Sequence, residues 1–265
     1  MKFAIIGAGN MGGALARGLA QSTRIQAGNI CVSNPSTAKL EQLKEEFPEI
    51  NITTDNRQCI AEADVIVLAV KPWKLADVAA QLSPILDSRW QRVCSMVGGV
   101  GLDRLEELFP FMPIYYLIPN TAIATRQSMT FIASRHSTPQ ADSEMLAIFR
   151  ELGDAMLVEE RLMNAGMVLA SCGIAYALRY IRAATEGGVQ LGFRAAEAQH
   201  IVAQTLRGAA SLLDRFGTHP EAEIDRVTTP GGLTIRGLNA MEEAGFTNAV
   251  IRGLLAALPE NKGKN

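Results

Sequence analysis

The pattern of apolar and polar residues divides the chain into two halves that predict different structures. Up to about residue 159, short apolar runs alternate with stretches of helical periodicity, and the run Val65–Val70 is continuously apolar. Such a run is typical of a parallel strand covered on both faces. Residues 1–159 are therefore predicted to form a doubly wound α/β domain with a parallel sheet. The predicted strands are Lys2–Ile6, Ile30–Ser33, Val65–Val70, Arg92–Val97, Ile114–Ile118 and Met129–Ser134.

Residues 160–265 lack a strand pattern and predict an all-α dimerisation domain. The first predicted helix is apolar on nearly every side until Arg179, so it needs packing partners all round. We therefore predict a homodimer whose helical halves share a core, with further assembly of dimers left open. Glu260–Asn265 is polar and is expected to fray. The predicted helices are Leu162–Thr185, Ala195–Phe216, Glu221–Arg226, Thr234–Glu243 and Thr247–Leu258, with helix ends at Gly187–Gly188, Gly217 and Gly245.

Composition narrows the class of protein. The 265 residues are 48% hydrophobic and 20% charged with a net charge of −2, which indicates a globular chain without a basic surface for nucleic acid. Four scattered cysteines and three histidines without ligand spacing argue against a metal site. The uncharged stretch Leu162–Leu178 falls short of the roughly 20 apolar residues of a membrane span. A cytoplasmic protein without membrane contact is expected.

A glycine-rich turn follows the first predicted strand and begins a helix. A first glycine permits the tight turn, a second lets a pyrophosphate approach the backbone, and a third lets helix pack on strand. The helix N-terminus then offers N–H groups to the phosphates. This context predicts a Rossmann-type dinucleotide site. The residues concerned are Gly7, Gly9, Asn10, Met11 and Gly12.

The end of the second strand predicts which dinucleotide is bound. An NAD enzyme usually places a carboxylate there, whereas this chain has Ser33 and Asn34, with Lys39 nearby. Hydroxyl, amide and ammonium donors accept the 2′-phosphate that a carboxylate repels. We predict NADPH as the cofactor, with NADH as an alternative.

Two further loops follow predicted strands at the carboxyl edge of the sheet, where ligands bind in this fold. The first consists of Ala69, Val70, Lys71 and Pro72, which we expect to bind the cofactor. Lys71 is expected to point a cation into the cleft and to act as a catalytic residue together with Thr234. The second, Pro119–Thr121, is a rigid turn that contains Asn120, which we expect to bind the substrate.

A turn rich in proline and glycine precedes the helix that begins near Thr234. Its glycines let successive N–H groups converge, and Thr234 adds a hydroxyl at the helix start. The predicted ligand is a small carboxylate, bound by Gly231, Gly232 and Thr234.

Several segments resemble pyrroline-5-carboxylate reductase in order over essentially the whole chain. The segments are Gly7–Gly12, Ala69–Pro72, Pro119–Thr121, Gln204–Ala210, Thr228–Leu238 and Glu242–Phe246. The resemblance implies an oxidoreductase of proline biosynthesis that reduces 1-pyrroline-5-carboxylate to L-proline with NAD(P)H and has intertwined helical domains. It also implies that Gly232, Leu233 and Thr234 hold the substrate and that Asn56 lies near the adenosine end of the cofactor. The chain departs from the family's SGSGPAY segment at Ala170–Tyr176, where it keeps only Gly173, Ala175 and Tyr176.

The absence of lysine between Lys74 and Lys262 disfavours a hydroxyacid dehydrogenase with a lysine acid on its interdomain helix. A cyclic imine that is protonated in solution already carries its proton, so hydride addition needs positioning by Thr234 and the helix N-terminus. Two alternatives stay open: an NADP-dependent reductase of another imino acid, and a non-catalytic dinucleotide-binding sensor.

Overall fold

A computed structural model describes residues 1–259, so the tail predicted to fray lies outside the described residues. The chain forms two compact units, Met1–Ser171 and Cys172–Asn265. The boundary predicted from sequence lies earlier, between residues 159 and 160, and it stays a prediction.

The first unit contains one eight-stranded sheet of order β3-β2-β1-β4-β5-β6-β7-β8. All neighbouring strands are parallel except β6 and β7, which are antiparallel. The predicted doubly wound parallel sheet is therefore confirmed, with the last two strands, β7 and β8, running opposite to the other six. The strands are β1 Phe3–Ile6, β2 Ile30–Ser33, β3 Asn51–Thr53, β4 Val65–Leu68, β5 Arg92–Ser95, β6 Ile114–Ile118, β7 Ser128–Arg135 and β8 Gly153–Leu157.

Helices cover both faces of this sheet because successive strand residues point to opposite sides. Phe3 and Ile5 of β1 pack in one buried cluster, and Ala4 and Ile6 pack in the other. Helices α1, α2 and α6 contribute to the first cluster and α3, α4 and α5 to the second. Their bounds are α1 Asn10–Ala20, α2 Ala38–Glu46, α3 Asn56–Ile60, α4 Leu75–Leu82, α5 Leu102–Leu108 and α6 Pro139–Arg150.

The segment Glu160–Gln190 is one long helical stretch. It is interrupted by a π-helical turn at Met167–Cys172. Its length and composition would allow it to cross a membrane, and 17% of its most apolar window is buried within the chain. Two hydrogen bonds fasten the π turn to the loop after β6, from Ser171 Oγ to Pro119 O at 2.9 Å and from Asn120 Nδ2 to Ala170 O at 3.4 Å.

The second unit is helical throughout its described residues. Of residues 172–259, Ala198 alone is buried, although the unit is rich in apolar side chains. One copy of this unit therefore has almost no core of its own. From the start of the long helix onward the helices are α7 Met163–Gly166, α8 Gly173–Gln190, α9 Ala195–Phe216, α10 Pro220–Arg226, α11 Leu233–Glu243 and α12 Phe246–Ala256.

Candidate functional site

The turn between β1 and α1 requires glycine at two positions. Gly7 has φ of 108°, and a Cβ there would lie 2.6 Å from the Ala69 carbonyl oxygen. A Cβ on Gly12 would lie 1.9 Å from the Gly7 carbonyl oxygen. At Gly9, by contrast, an added Cβ meets nothing within 4 Å. The backbone is thus tightly packed on the protein side and open on the side where a dinucleotide phosphate would approach.

The N-terminus of α1 presents free hydrogen-bond donors to this open space. Gly9 is the N-cap, no side chain caps the helix, and no acidic residue lies in the first turn. The N–H groups of Asn10, Met11 and Gly12 precede the first intrahelical bond, which runs from Gly13 N to Gly9 O at 2.8 Å. Uncapped amides at the positive end of a helix suit a pyrophosphate.

Side chains at the end of β2 form a connected polar network. Ser33 Oγ donates to Asn56 Oδ1 at 2.6 Å, and Asn56 Nδ2 donates to Gln81 Oε1 at 2.8 Å. Asn34 accepts from Ala8 N at 3.1 Å and so links the second strand to the glycine turn. The structure brings Ser33, Asn34 and Asn56 together beside that turn. Gln81 belongs to no sequence motif and was not predicted as a site residue.

A cavity of about 130 Å³ lies beside Gly9 and Asn10 and is lined by two cations, Lys39 and Arg17. The Arg17 guanidinium also pairs with Glu46, with Nε 2.5 Å from Oε2, and this hydrogen bond raises the pKa of Arg17. Lys39 was predicted from sequence but Arg17 was not, because Arg17 lies five residues beyond Gly12, outside the glycine motif. Positive charge here suits the 2′-phosphate of NADPH.

The loop after β4 lies at the same carboxyl edge of the sheet. Ala69 N donates to Ile6 O at 2.9 Å, so Ala69 and Val70 continue alongside the glycine turn. Lys71 is exposed, and Pro72 begins a short 3₁₀ turn that extends to Lys74. The Lys71 ammonium has no ion-pair partner within residues 1–259, which leaves it available to a ligand.

A glycine pair that was not predicted from sequence, Gly98–Gly99, also lies at this edge, just after β5. Added Cβ atoms at both would meet nothing within 4 Å, and Gly99 has φ of 76°. Burial raises the pKa of the neighbouring Tyr116, and a backbone hydrogen bond from Gly99 opposes that shift. A glycine pair directly after a predicted strand was the signal that could have identified this loop.

Asn120 lies at the end of β6 but is 6% exposed. Its Oδ1 accepts from Ala122 N at 3.0 Å, and its Nδ2 donates to Ala170 O. Both ends of its amide thus hold the loop and the π turn in place. Substrate binding by Asn120 stays a prediction, and its observed contacts are those of a positioning residue.

In the second unit, the turn before α11 leaves an open helix N-terminus. Gly231 has φ of 68°, and Gly232 N donates to Thr229 O at 2.9 Å. A Cβ on Gly232 would lie 2.9 Å from the Thr229 carbonyl oxygen, so the turn requires glycine. No side chain caps α11 and no acidic residue lies in its first turn. Leu233 is 79% exposed and Thr234 is also exposed. These features suit a bound carboxylate.

The predicted site residues form two groups, one in each unit. The dinucleotide residues meet around the β1–α1 turn, and Gly231, Gly232, Leu233 and Thr234 meet at the start of α11. Across residues 1–259, no cluster of three or more histidine, cysteine, aspartate or glutamate side chains could hold a metal ion.

Two family models and several known proteins match this chain. Residues 2–93 match the model described as NADP oxidoreductase, coenzyme F420-dependent, and residues 160–263 match pyrroline-5-carboxylate reductase dimerisation. The chain is 37% identical over 273 residues to pyrroline-5-carboxylate reductase 1 of Dictyostelium discoideum, covering 96% of this chain and 48% of that protein. It is 34% identical over 268 residues to pyrroline-5-carboxylate reductase 2 of the same organism, covering 95% of this chain and 89% of that protein.

The chain belongs to the pyrroline-5-carboxylate reductase family. It spans about half the length of the first of these relatives and most of the second. A crystal structure of pyrroline carboxylate reductase from Plasmodium falciparum with NADP bound is 25% identical, with a TM-score of 0.86 and coverage of 97% of this chain and 95% of that one. The resemblance and fold class inferred from the sequence are thereby confirmed.

Proposed function

We propose that this protein reduces 1-pyrroline-5-carboxylate to L-proline with NADPH. Membership of the reductase family supports the reaction. The observation that carries the proposal is the glycine turn before α11, whose uncapped N–H groups and exposed Thr234 match a small ligand with a carboxylate and a ring nitrogen.

The dinucleotide fits the first unit on structural grounds. Gly7 and Gly12 close the turn on its protein side, while Gly9 leaves open space over the uncapped α1 N-terminus. The adenosine end of the dinucleotide is bound by Ser33, Asn34 and Asn56. Positive charge for a 2′-phosphate comes from Lys39 and Arg17. Ala69, Val70, Lys71 and Pro72 form the neighbouring loop, in which Lys71 contributes a cation.

The residues of the second unit position the substrate. The N–H groups at Gly232, Leu233 and Thr234 hold its carboxylate, and the Thr234 hydroxyl hydrogen-bonds its ring nitrogen. Bound NADPH supplies the hydride. Because the imine is protonated in solution, the chain needs to orient it rather than to donate a proton.

The same proposal assigns residues 1–159 to dinucleotide binding and residues 160–265 to dimerisation and substrate binding. The dimerisation model that matches residues 160–263 supports it, as does a second unit in which only Ala198 is buried over residues 172–259. Assembly of dimers into larger oligomers and location in the cytoplasm stay predictions.

The direct test follows NADPH absorbance with purified protein and 1-pyrroline-5-carboxylate, with NADH in parallel. We expect NADPH oxidation with proline as the product, and slower turnover with NADH. Tight NADPH binding without proline formation would contradict the proposed reaction and favour another imino acid or a sensor.

Replacement of Thr234 by valine tests the substrate site. The variant loses the hydroxyl but keeps the shape, so kcat/KM for the imine should fall about tenfold or more while the Kd for NADPH is unchanged. Thr247→Val is the matched control, because Thr247 bonds Glu242 instead. Equal kcat/KM in Thr234→Val and wild-type protein would rule out the assigned role.

A further inference from the structure

Two of the four cysteines meet in the first unit. Cys31 lies in β2 and Cys59 lies in α3, and Cys31 packs against the buried cluster that contains Cys59. Both line the same open groove of about 600 Å³. Cys94 is fully buried elsewhere in the sheet, and Cys172 lies at the end of the π turn, so neither belongs to this pair.

The register of β2 and α3 places these two cysteines next to Ser33 and Asn56, which are predicted to lie near the adenosine end of the cofactor. Cys31 and Ser33 are two apart in a strand and so point to the same face of the sheet. Asn56 and Cys59 are three apart in a helix and so share one helix face. The Ser33–Asn56 hydrogen bond of 2.6 Å therefore joins the same two elements that bring Cys31 and Cys59 to one buried cluster and one groove.

The two thiols have different environments. Cys31 is partly exposed, and a hydrogen bond with the Cys59 thiol lowers its pKa. Cys59 is buried, and the same hydrogen bond, together with burial, raises its pKa. A partly exposed thiol with a lowered pKa beside a second thiol is the arrangement of a peroxide-sensitive cysteine and its resolving partner.

We propose that Cys31 and Cys59 form an oxidative modification site, in which a disulfide between them ties α3 to β2 and weakens dinucleotide binding. The disulfide would hold β2 and α3 at one fixed spacing. Ser33 and Asn56, which lie on these two elements, could then no longer adjust to the adenosine end of the dinucleotide. The effect on affinity rests on the proposed NADPH function, whereas formation of the disulfide does not.

The chemistry needs a peroxide as the oxidant. The Cys31 thiolate attacks one peroxide oxygen, the O–O bond breaks, and with one proton taken up the products are a sulfenic acid and water. The Cys59 thiol then attacks the sulfenic sulfur, forming the S–S bond and releasing a second water. Sulfur loses two electrons overall and the peroxide gains them. A dithiol reductant reverses the step by thiol–disulfide exchange.

The experiment treats the full-length protein with an equimolar amount of hydrogen peroxide. We expect two of the four thiols to be lost and one cross-linked peptide pair to contain residues 31 and 59. The Kd for NADPH should rise about fivefold or more, and dithiothreitol should restore both thiols and affinity. Cys31→Ser and Cys59→Ser should keep the reduced protein's Kd after peroxide, and Cys94→Ser should respond like wild type.

Three results would overturn the proposal: retention of all four thiols, a cross-link through another cysteine, or an unchanged Kd in the cross-linked protein. Turnover of 1-pyrroline-5-carboxylate by the reduced protein is measured separately. A peroxide-dependent Kd in a protein that forms no proline would uphold the disulfide and reject the proposed reaction.

Discussion

Gly9 and Gly12 lie in the same turn, but their surroundings differ. A Cβ on Gly12 would overlap the Gly7 carbonyl oxygen, whereas one on Gly9 would enter open space. We predict that Gly12→Ala lowers the free energy of unfolding by about 1–3 kcal/mol, because rigid backbone must move. Urea unfolding without dinucleotide measures this cost.

Gly9→Ala is the matched variant for cofactor binding. It should change the free energy of unfolding by less than about 1 kcal/mol, since it creates no clash within the protein. Its methyl group enters the space assigned to the pyrophosphate, so the Kd for NADPH should rise about tenfold or more. Normal NADPH affinity in this variant would place the dinucleotide elsewhere.

The sequence was most informative at positions where the backbone conformation or packing allows only one residue type. Gly7, Gly12 and Gly232 lie where the structure has no room for a Cβ, and each was identified from its motif. Gln81 and Arg17 were missed because their contacts arise only when separate helices pack. Asn120 was identified by position, but burial of its amide could not be inferred from its neighbours in sequence.

At the scale of single elements, the C-terminus of α6 is joined to the segment after α1 by Glu151. This carboxylate accepts hydrogen bonds from Ser22 Oγ, from Thr23 N and Oγ1, and from Arg24 N. Partial burial raises its pKa, but these hydrogen bonds outweigh that effect and lower the pKa to about 2. The carboxylate therefore stabilises the fold only when ionised.

This pKa predicts a pH-dependent effect of Glu151→Gln. A depressed native pKa gives stability that is complete above the unfolded pKa, about 4.3, and is lost as pH falls toward 2. The Tm difference between wild type and Glu151→Gln should thus be constant between pH 5 and 7 and should shrink as the solution is acidified. A difference that grows on acidification would contradict the assigned hydrogen bonds.

Strands and helices were predicted best where they are buried. The missed strands β3 and β8 lie at the two ends of the sheet and carry polar residues such as Asn51 and Asp154. The predicted helix end at Gly187–Gly188 is wrong, because α8 continues to Gln190. A Cβ on Gly188 would lie 2.8 Å from Ala198 Cβ, so this glycine allows α8 and α9 to approach closely. The π turn was missed because it leaves no periodic signal.

At the scale of the whole molecule, the second unit lacks an internal core. Its apolar side chains include Leu178 at 58% and Leu255 at 62% exposed. Exposed apolar surface of this extent needs a partner, and the dimerisation model that matches residues 160–263 indicates a second copy of the chain. Stability should then depend on protein concentration, with a Tm that rises on concentrating the protein.

Leu178→Glu tests whether this surface is shared between copies. A charge in a shared apolar core should convert dimers to monomers in analytical ultracentrifugation and abolish the concentration dependence of Tm. Ile85→Glu, at an apolar site of the first unit that is 42% exposed, is the control and should stay dimeric. A dimeric Leu178→Glu protein with unchanged Tm would exclude α8 from the interface.

The near absence of buried residues in the second unit also affects biogenesis. Ribosomes synthesise residues 1–171 first, and that segment carries its own two-sided core, so it can fold while the remainder is still being translated. The helical half that follows must meet another newly made chain before its apolar side chains are shielded. Maturation thus becomes a second-order process, whose rate depends on the concentration of newly made chains.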